Sequence, residues 1–138
     1  MTEPQIIIAD WQTDNAILKQ LRRIVFIEEQ SVPEELEWDE QDATAIHFLA
    51  KIENTAVATA RLTSTGQIGR MAVLEKYRRQ GIGSALLRKV LETAARKNIE
   101  HMFLHAQVQV VDFYKKSGFV ERGELFMDAG ILHREMQR

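Results

Sequence analysis

The chain has 138 residues, the size of one domain of about 100–150 residues, which buries enough surface to fold without a disulfide or metal staple. Its 18 basic and 20 acidic residues leave a net charge of −2, giving no reason to expect duplex nucleic acid. Cysteine is absent, which removes disulfides, thiolate metal sites and thiol nucleophiles together.

The opening Met1-Thr2-Glu3-Pro4-Gln5 has no basic stretch, and the apolar run Ile6-Ile7-Ile8-Ala9 is too short for a signal peptide or a membrane span. A cytoplasmic protein without membrane partners is expected. Gln5 to Ala9, bounded by Pro4 and Asp10, reads as a buried strand. From Asp14 to about Gln30, Ile17, Leu18, Leu21, Ile24 and Val25 recur at helical spacing, with Thr13 or Asp14 as the cap. Ser31 to Asp42 reads as an acidic loop around Pro33. Ala45 to Ile52 and Val57 to Leu62 suit an antiparallel pair across the turn Glu53-Asn54-Thr55.

Gln67 to Val73 supplies another strand, and Leu74 to Gly83 breaks the pattern. Leu86, Leu87, Val90, Leu91 and Ala94 then mark a second amphipathic helix ending near Lys97-Asn98. His101 to Gln107 reads as a strand and Val110 to Ser117 as a short helix, with Gly118 as its C-terminal stop. Phe119-Val120 and Ile131 to Met136 read as closing strands. The order β-α-β-β-β-α-β-α-β-β describes a single α/β domain over residues 1–138, built on a mixed sheet.

Arg78-Arg79-Gln80-Gly81-Ile82-Gly83-Ser84 lies between a strand and a helix. Main-chain N–H groups at a helix start have no partner within the helix, and its dipole adds positive character, so such a turn accepts anions, phosphate above all. Gly81 and Gly83 let the main chain approach phosphate oxygens, while Arg78 and Arg79 add donors suited to a diphosphate. Neither the P-loop pattern G-x-x-x-x-G-K-[ST] nor the dinucleotide pattern G-x-G-x-x-G is present, the latter failing at Leu86. A solvated turn is the plain alternative.

The run from Gly69 to Leu87 resembles motif A of the GNAT N-acetyltransferases, whose loop reads Q/R-x-x-G-x-G/A. Arg78, Gly81 and Gly83 stand at its defining positions. Phe113-Tyr114-Lys115-Lys116-Ser117-Gly118-Phe119 resembles the F-Y-x-K-x-G-F stretch of the family's motif B. Val25 to Gln30, the acidic loop and Gly130-Ile131-Leu132-His133 are similar to a branch of small bacterial members. The resemblance implies a mixed, mostly antiparallel central sheet flanked by helices, acetyl-CoA as acetyl donor, no metal, and a homodimer, since many members dimerise.

Residue by residue, the resemblance implies that the main chain of Met71, Ala72 and Val73 pairs with the pantetheine arm and polarises the thioester carbonyl. Arg79, Gln80, Gly81, Ile82, Gly83 and Ser84 wrap the pyrophosphate, with Arg78 at the loop's first basic position. Tyr114 protonates the departing thiolate, or only packs. Gln107 stands where many members carry an asparagine that touches pantetheine.

An amine must be neutral to attack a thioester, so a base is needed. The glutamate that some members carry on the strand before the loop is missing from Gln67-Ile68-Gly69-Arg70-Met71. Glu29 is the first candidate, from the acidic stretch Glu28 to Asp42, where crowding would raise carboxylate pKa values. His105 is the second. His47 and His133 rank lower, and the four histidines show no metal-ligand spacing. Trp11 covers a core edge; Trp38 either does the same or walls the acceptor pocket. The expected activity is acetyl transfer to a primary amine of a small molecule, by direct attack. The alternatives are a protein or peptide N-acetyltransferase, and a non-catalytic acyl-CoA-binding module.

Overall fold

The structure, a computed structural model, describes residues 3–138. The reading of the first residues as leader-free therefore rests partly on Met1 and Thr2, outside the described residues. One seven-stranded sheet has the order β1-β2-β3-β4-β5-β7-β6. Its strands are β1 (Gln5–Ala9), β2 (Ile46–Ile52), β3 (Thr55–Leu62), β4 (Gln67–Val73), β5 (Phe103–Gln107), β6 (Val120–Asp128) and β7 (Ile131–Gln137). Neighbours run antiparallel except β4 and β5, which are parallel and joined through a helix.

Helix α3 (Ile82–Arg96) buries Leu86, Leu87, Val90 and Ala94 against Phe48, Ala60, Leu62, Ile68 and Leu104 on one face of the sheet. Phe113 and Tyr114, on the short helix α4 (Val111–Lys115), pack against the same cluster. Helix α1 (Trp11–Arg22) covers the other face with Leu18 and Leu21 against Ala9 and Leu49. Residues 48 to 50 are buried on both sides, which suits a central strand between two layers.

Several expectations need correction. The first strand lies at the sheet's edge and is half-exposed, because only one neighbour pairs with it. The first helix starts earlier, with the Asp10 side chain accepting from Gln12 N–H, so neither Thr13 nor Asp14 is its cap. Past Arg22 the coil widens into a π-helix, Arg23–Glu29. The acidic stretch holds a short helix α2 (Glu34–Glu37) and a 3₁₀ turn at Glu40–Ala43. The strand after Gly118 runs to Asp128; a register shift between Arg122 and Phe126, with Gly123 at φ +75°, interrupts its alternation.

The acidic stretch is not a free cluster of carboxylates. Arg22, 1% exposed, donates to Glu37 at 2.8 Å and to Asp42 at 2.8 Å. Arg61 reaches Asp39 at 2.7 Å and Asp42 at 2.9 Å, and Arg70 reaches the Glu37 carbonyl at 3.0 Å and Asp39 at 3.2 Å. Three arginines thus neutralise three acids. Burial lifts the Glu37 carboxyl above the usual range, against the pull of Arg70 and Arg22. Burial also works to raise Asp42, but hydrogen bonds and charge from Arg22 and Arg61 hold it below its ordinary value.

Removing one partner of a buried ion pair leaves an uncompensated charge, so Arg22→Met is expected to cost about 3–5 kcal/mol in urea unfolding. A loss below about 1 kcal/mol would show that the cluster is effectively solvated. His47 tests a second link. Burial pushes its imidazole below the ordinary value, and its Nε2–H donates to the Asp42 carbonyl at 2.8 Å. The unfolded chain then binds more protons, so this stability is present above about pH 6.5 and is lost as pH falls below it. Denaturation at pH 7.5 and 5.5 should show the loss, and His47→Gln should shrink it.

Candidate active site

Strands β4 and β5 pair at only two positions, Gln67 with Phe103 and Ile68 with Leu104. Beyond Ile68 they part. The register between β3 and β4 shifts at the same point, and Arg70 there has φ +49°. Such a bulge bends its strand. The edge of Gly69–Val73 that faces β5 has no strand partner, and a cleft of about 1060 Å³ opens beside it.

One end of the cleft is the start of α3. Gly81 is its N-cap at φ +82°, with no side-chain cap, and Arg79 just before it has φ +64°. The first main-chain bond of the helix runs from Ala85 N–H to the Gly81 carbonyl at 3.0 Å. Among the described residues, no protein acceptor takes the main-chain N–H groups of Arg79, Gly81, Ile82, Gly83 or Ser84, whereas Gln80 N–H closes the turn over Arg78 and Arg79. A run of free donors on a positive helix end, alternating through left-handed residues, is an anion cradle. All but Gln80 of the loop residues line the cleft; Gln80 faces a separate hollow of about 490 Å³ beside Arg88 and Lys89.

Arg78 is tied down by the protein itself. Its Nε donates to the Val73 carbonyl at 2.8 Å, and its two terminal nitrogens meet the two Glu29 oxygens at 2.6 Å each. The hydrogen bonds from Arg78 hold the Glu29 carboxyl below the usual carboxylate range. A carboxylate held low is a poorer proton acceptor, so the geometry gives Glu29 the task of anchoring Arg78 rather than that of a base.

The other candidates divide. Met71, Ala72, Val73, Tyr114, Gln107 and His105 all line the cleft. Tyr114 O–H points to the Met71 sulfur at 3.8 Å, and burial pushes its hydroxyl up to about 12. Gln107 donates to Gln30 at 2.8 Å and accepts from Gln109 at 2.8 Å, so its amide is already engaged. His105 faces the Glu135 carboxylate at 3.2 Å. Trp38 is not part of the cleft wall; it lies under Lys19, Arg22 and Arg23 on the outer side of α1. Trp11 stacks on His47, with ring centroids 4.7 Å apart.

Two further walls come from stretches that the sequence marks by resemblance, without assigning most of their side chains to the site. Val25, Phe26, Gln30, Val32 and Leu36 come from the π segment and its exit, and Asp128, Ala129, Ile131 and His133 come from the β6–β7 hairpin. Ala129 and Gly130, at φ +52° and +76°, form the two-residue turn that the Ala-Gly pair could have signalled. No group of three or more potential metal ligands occurs among the described residues, and no described helix is long and apolar enough to cross a membrane.

The Acetyltransferase (GNAT) domain family matches residues 11–138. The uncharacterized N-acetyltransferase YjcF of Bacillus subtilis (strain 168) is 34% identical over 122 residues, covering 86% of this chain and 87% of its own. The crystal structure of Escherichia coli ElaA superposes with a TM-score of 0.87 at 30% identity, covering 99% of each chain. An acyl-CoA N-acyltransferase from Pseudomonas aeruginosa gives 0.87 at 27% identity, covering 97% of this chain and 99% of its own.

The Glu29–Arg78 pair can be tested directly. Carboxyl-carbon NMR should find Glu29 titrating below about 4.3, and Arg78→Met should move it upward. An unmoved Glu29 would remove the anchoring role.

Proposed function

The chain belongs to the GNAT acetyltransferase family and is an acyltransferase, and from that premise we propose that it transfers the acetyl group of acetyl-CoA to a primary amine of a small molecule. The observation that carries this reading is the set of free main-chain N–H groups at Arg79 and from Gly81 to Ser84 at one end of the cleft. A diphosphate matches that set in charge and in acceptor count. The unpaired edge of Met71, Ala72 and Val73 suits the amide groups of pantetheine, as an added strand would. One N–H there would polarise the thioester carbonyl, which is often worth a few kcal/mol.

Arg78 and Glu29 act on this picture by holding the loop against the π segment. Gln107 and Gln30 close the opposite side. His105, paired with Glu135, stays within reach of protons entering from solvent.

Tyr114 is the proton donor to the leaving sulfur. Its hydroxyl already lies next to a sulfur, that of Met71. A phenol pushed up to about 12 is fully protonated at neutral pH, the state a donor needs. An ordinary thiol titrates at about 8.5, so complete proton transfer to a free thiolate would be uphill. The gain is therefore mainly a hydrogen bond to negative charge developing on sulfur, and a modest effect follows. We place the reaction in a bacterial cytoplasm, in keeping with bacterial relatives, and in a chain acting alone or as a homodimer.

Incubation with acetyl-CoA and spermidine, glucosamine or benzylamine should release free thiol and acetylated amine. Binding of coenzyme A without thiol release for any amine would instead make the protein a binding module. Tyr114→Phe should lower kcat by about 10- to 100-fold with little change in coenzyme A affinity, and unchanged turnover would remove the donor role.

Gly83 separates ligand space from fold. A Cβ there meets Phe113 Cζ at 3.5 Å and Cε1 at 3.7 Å and Val73 Cγ2 at 4.0 Å, all ordinary contacts. Gly83→Ala should leave stability equal or up to about 1 kcal/mol higher. The added methyl should nonetheless weaken coenzyme A binding about tenfold, read by calorimetry, because it stands between the amides and a phosphate.

A further inference from the structure

We propose that His133 is the general base, taking the acceptor amine's proton on Nε2. The inference rests on the acetyl-transfer reading above and supplies the group that reading lacks. His133 lies on β7, three residues beyond the Ala129-Gly130 turn, and lines the cleft. Its Nδ1 is 2.7 Å from the Ile131 carbonyl oxygen. A carbonyl oxygen only accepts, so Nδ1 carries a hydrogen whatever the charge of the ring. In the neutral ring the lone pair therefore sits on Nε2.

Nε2 makes no protein hydrogen bond and is not sealed from solvent. The residue is otherwise 9% exposed, and its ring stacks on Phe126 at 5.7 Å and 23°. A carbonyl and an aromatic face thus fix the ring of a residue that lines the cleft, with its one basic nitrogen free of any protein hydrogen bond. This is the arrangement of a base held by an orienting partner, the partner here being main chain.

The rival groups are committed elsewhere. Glu29 is bound by Arg78, and Glu37 by Arg22 and Arg70. His105 turns Nε2 to Glu135, which leaves its lone pair on Nδ1, beside its own main chain. Charged groups line the cleft on each side of His133, Arg79 of the loop among them. The π segment and the loop contribute the Glu29–Arg78 pair, β4 and α2 contribute Arg70 and Glu37, and β6 contributes Asp128. The His105–Glu135 pair lies on β5 and β7.

The step balances as follows. The amine nitrogen bonds to the acetyl carbonyl carbon, and its proton passes to Nε2. The carbon–sulfur bond breaks with its electron pair on sulfur, which accepts a hydrogen bond from the Tyr114 hydroxyl and takes its proton from solvent through that hydroxyl. Loss of the Nε2 proton to solvent restores the ring. The products are the N-acetyl amine and free coenzyme A.

His133→Asn is the decisive variant, because its side-chain N–H can keep the bond to Ile131 while no Nε2 remains. Acetyl-CoA with spermidine, glucosamine or benzylamine supplies the assay, and His133→Ala is run beside it. For both variants kcat should fall about 100-fold or more. The rise of kcat/KM on the acid side should flatten, and coenzyme A affinity should stay within threefold. In the wild-type protein, long-range 1H–15N spectra should show the neutral form of the His133 ring as the Nδ1–H tautomer.

Wild-type transfer with His133→Asn within threefold of it would overturn this assignment alone. An Nε2–H tautomer would do the same. A wild-type protein that acetylates none of the three amines would overturn the transfer reading, and the base with it.

Discussion

Everything in the cleft depends on β4 leaving β5 after two paired residues. Full pairing would fill the gap with main-chain hydrogen bonds and leave neither an open edge nor a passage from the glycine loop to the hairpin. The departure coincides with Arg70, a non-glycine residue at φ +49°, a conformation that costs about 1–2 kcal/mol. Such a conformation persists only when its surroundings over-determine it. Here the Arg70 side chain is fastened to Glu37 and Asp39, which are in turn held by Arg22 and Arg61. The acidic stretch, which looks from composition like an electrostatic lure for amines, serves largely as the fixture for that bend.

The parts legible in the sequence are those whose signal is local. The strand Gln67–Val73 lies where the sequence places it, and the helix after Gly83 shows its apolar face plainly. The glycine turn carries its signal within seven residues and lies at the start of α3, between a strand and a helix as the sequence places it. Tyr114 follows the same logic, coming with its own short helix and the Gly118 that ends it, at φ +90°.

The parts that were not legible depend on partners distant in sequence. Nothing near Glu29 announces that Arg78 will close on it, and nothing near Arg22 announces Glu37 and Asp42. The continuous apolar spacing from Ile17 to Val25 conceals the change from α to π winding, because both keep similar faces over one turn. The irregularity at Gly123 breaks the alternation that would reveal β6, and with it the hairpin that carries His133 to the cleft. The end of the cleft at the glycine loop is thus written in contiguous motifs, whereas the π-segment and hairpin walls are assembled from stretches far apart in the chain.

The π winding of Arg23–Glu29 sets an angular phase for all that follows it. An α-helix advances about 100° per residue, so deleting a single residue inside that stretch would let it relax to ordinary winding and rotate Glu29 out of line with Arg78. Substitution can tune the neighbouring side chains freely. Length there cannot drift, and an alignment of sequences would find this short span intolerant of gaps even where its residues vary.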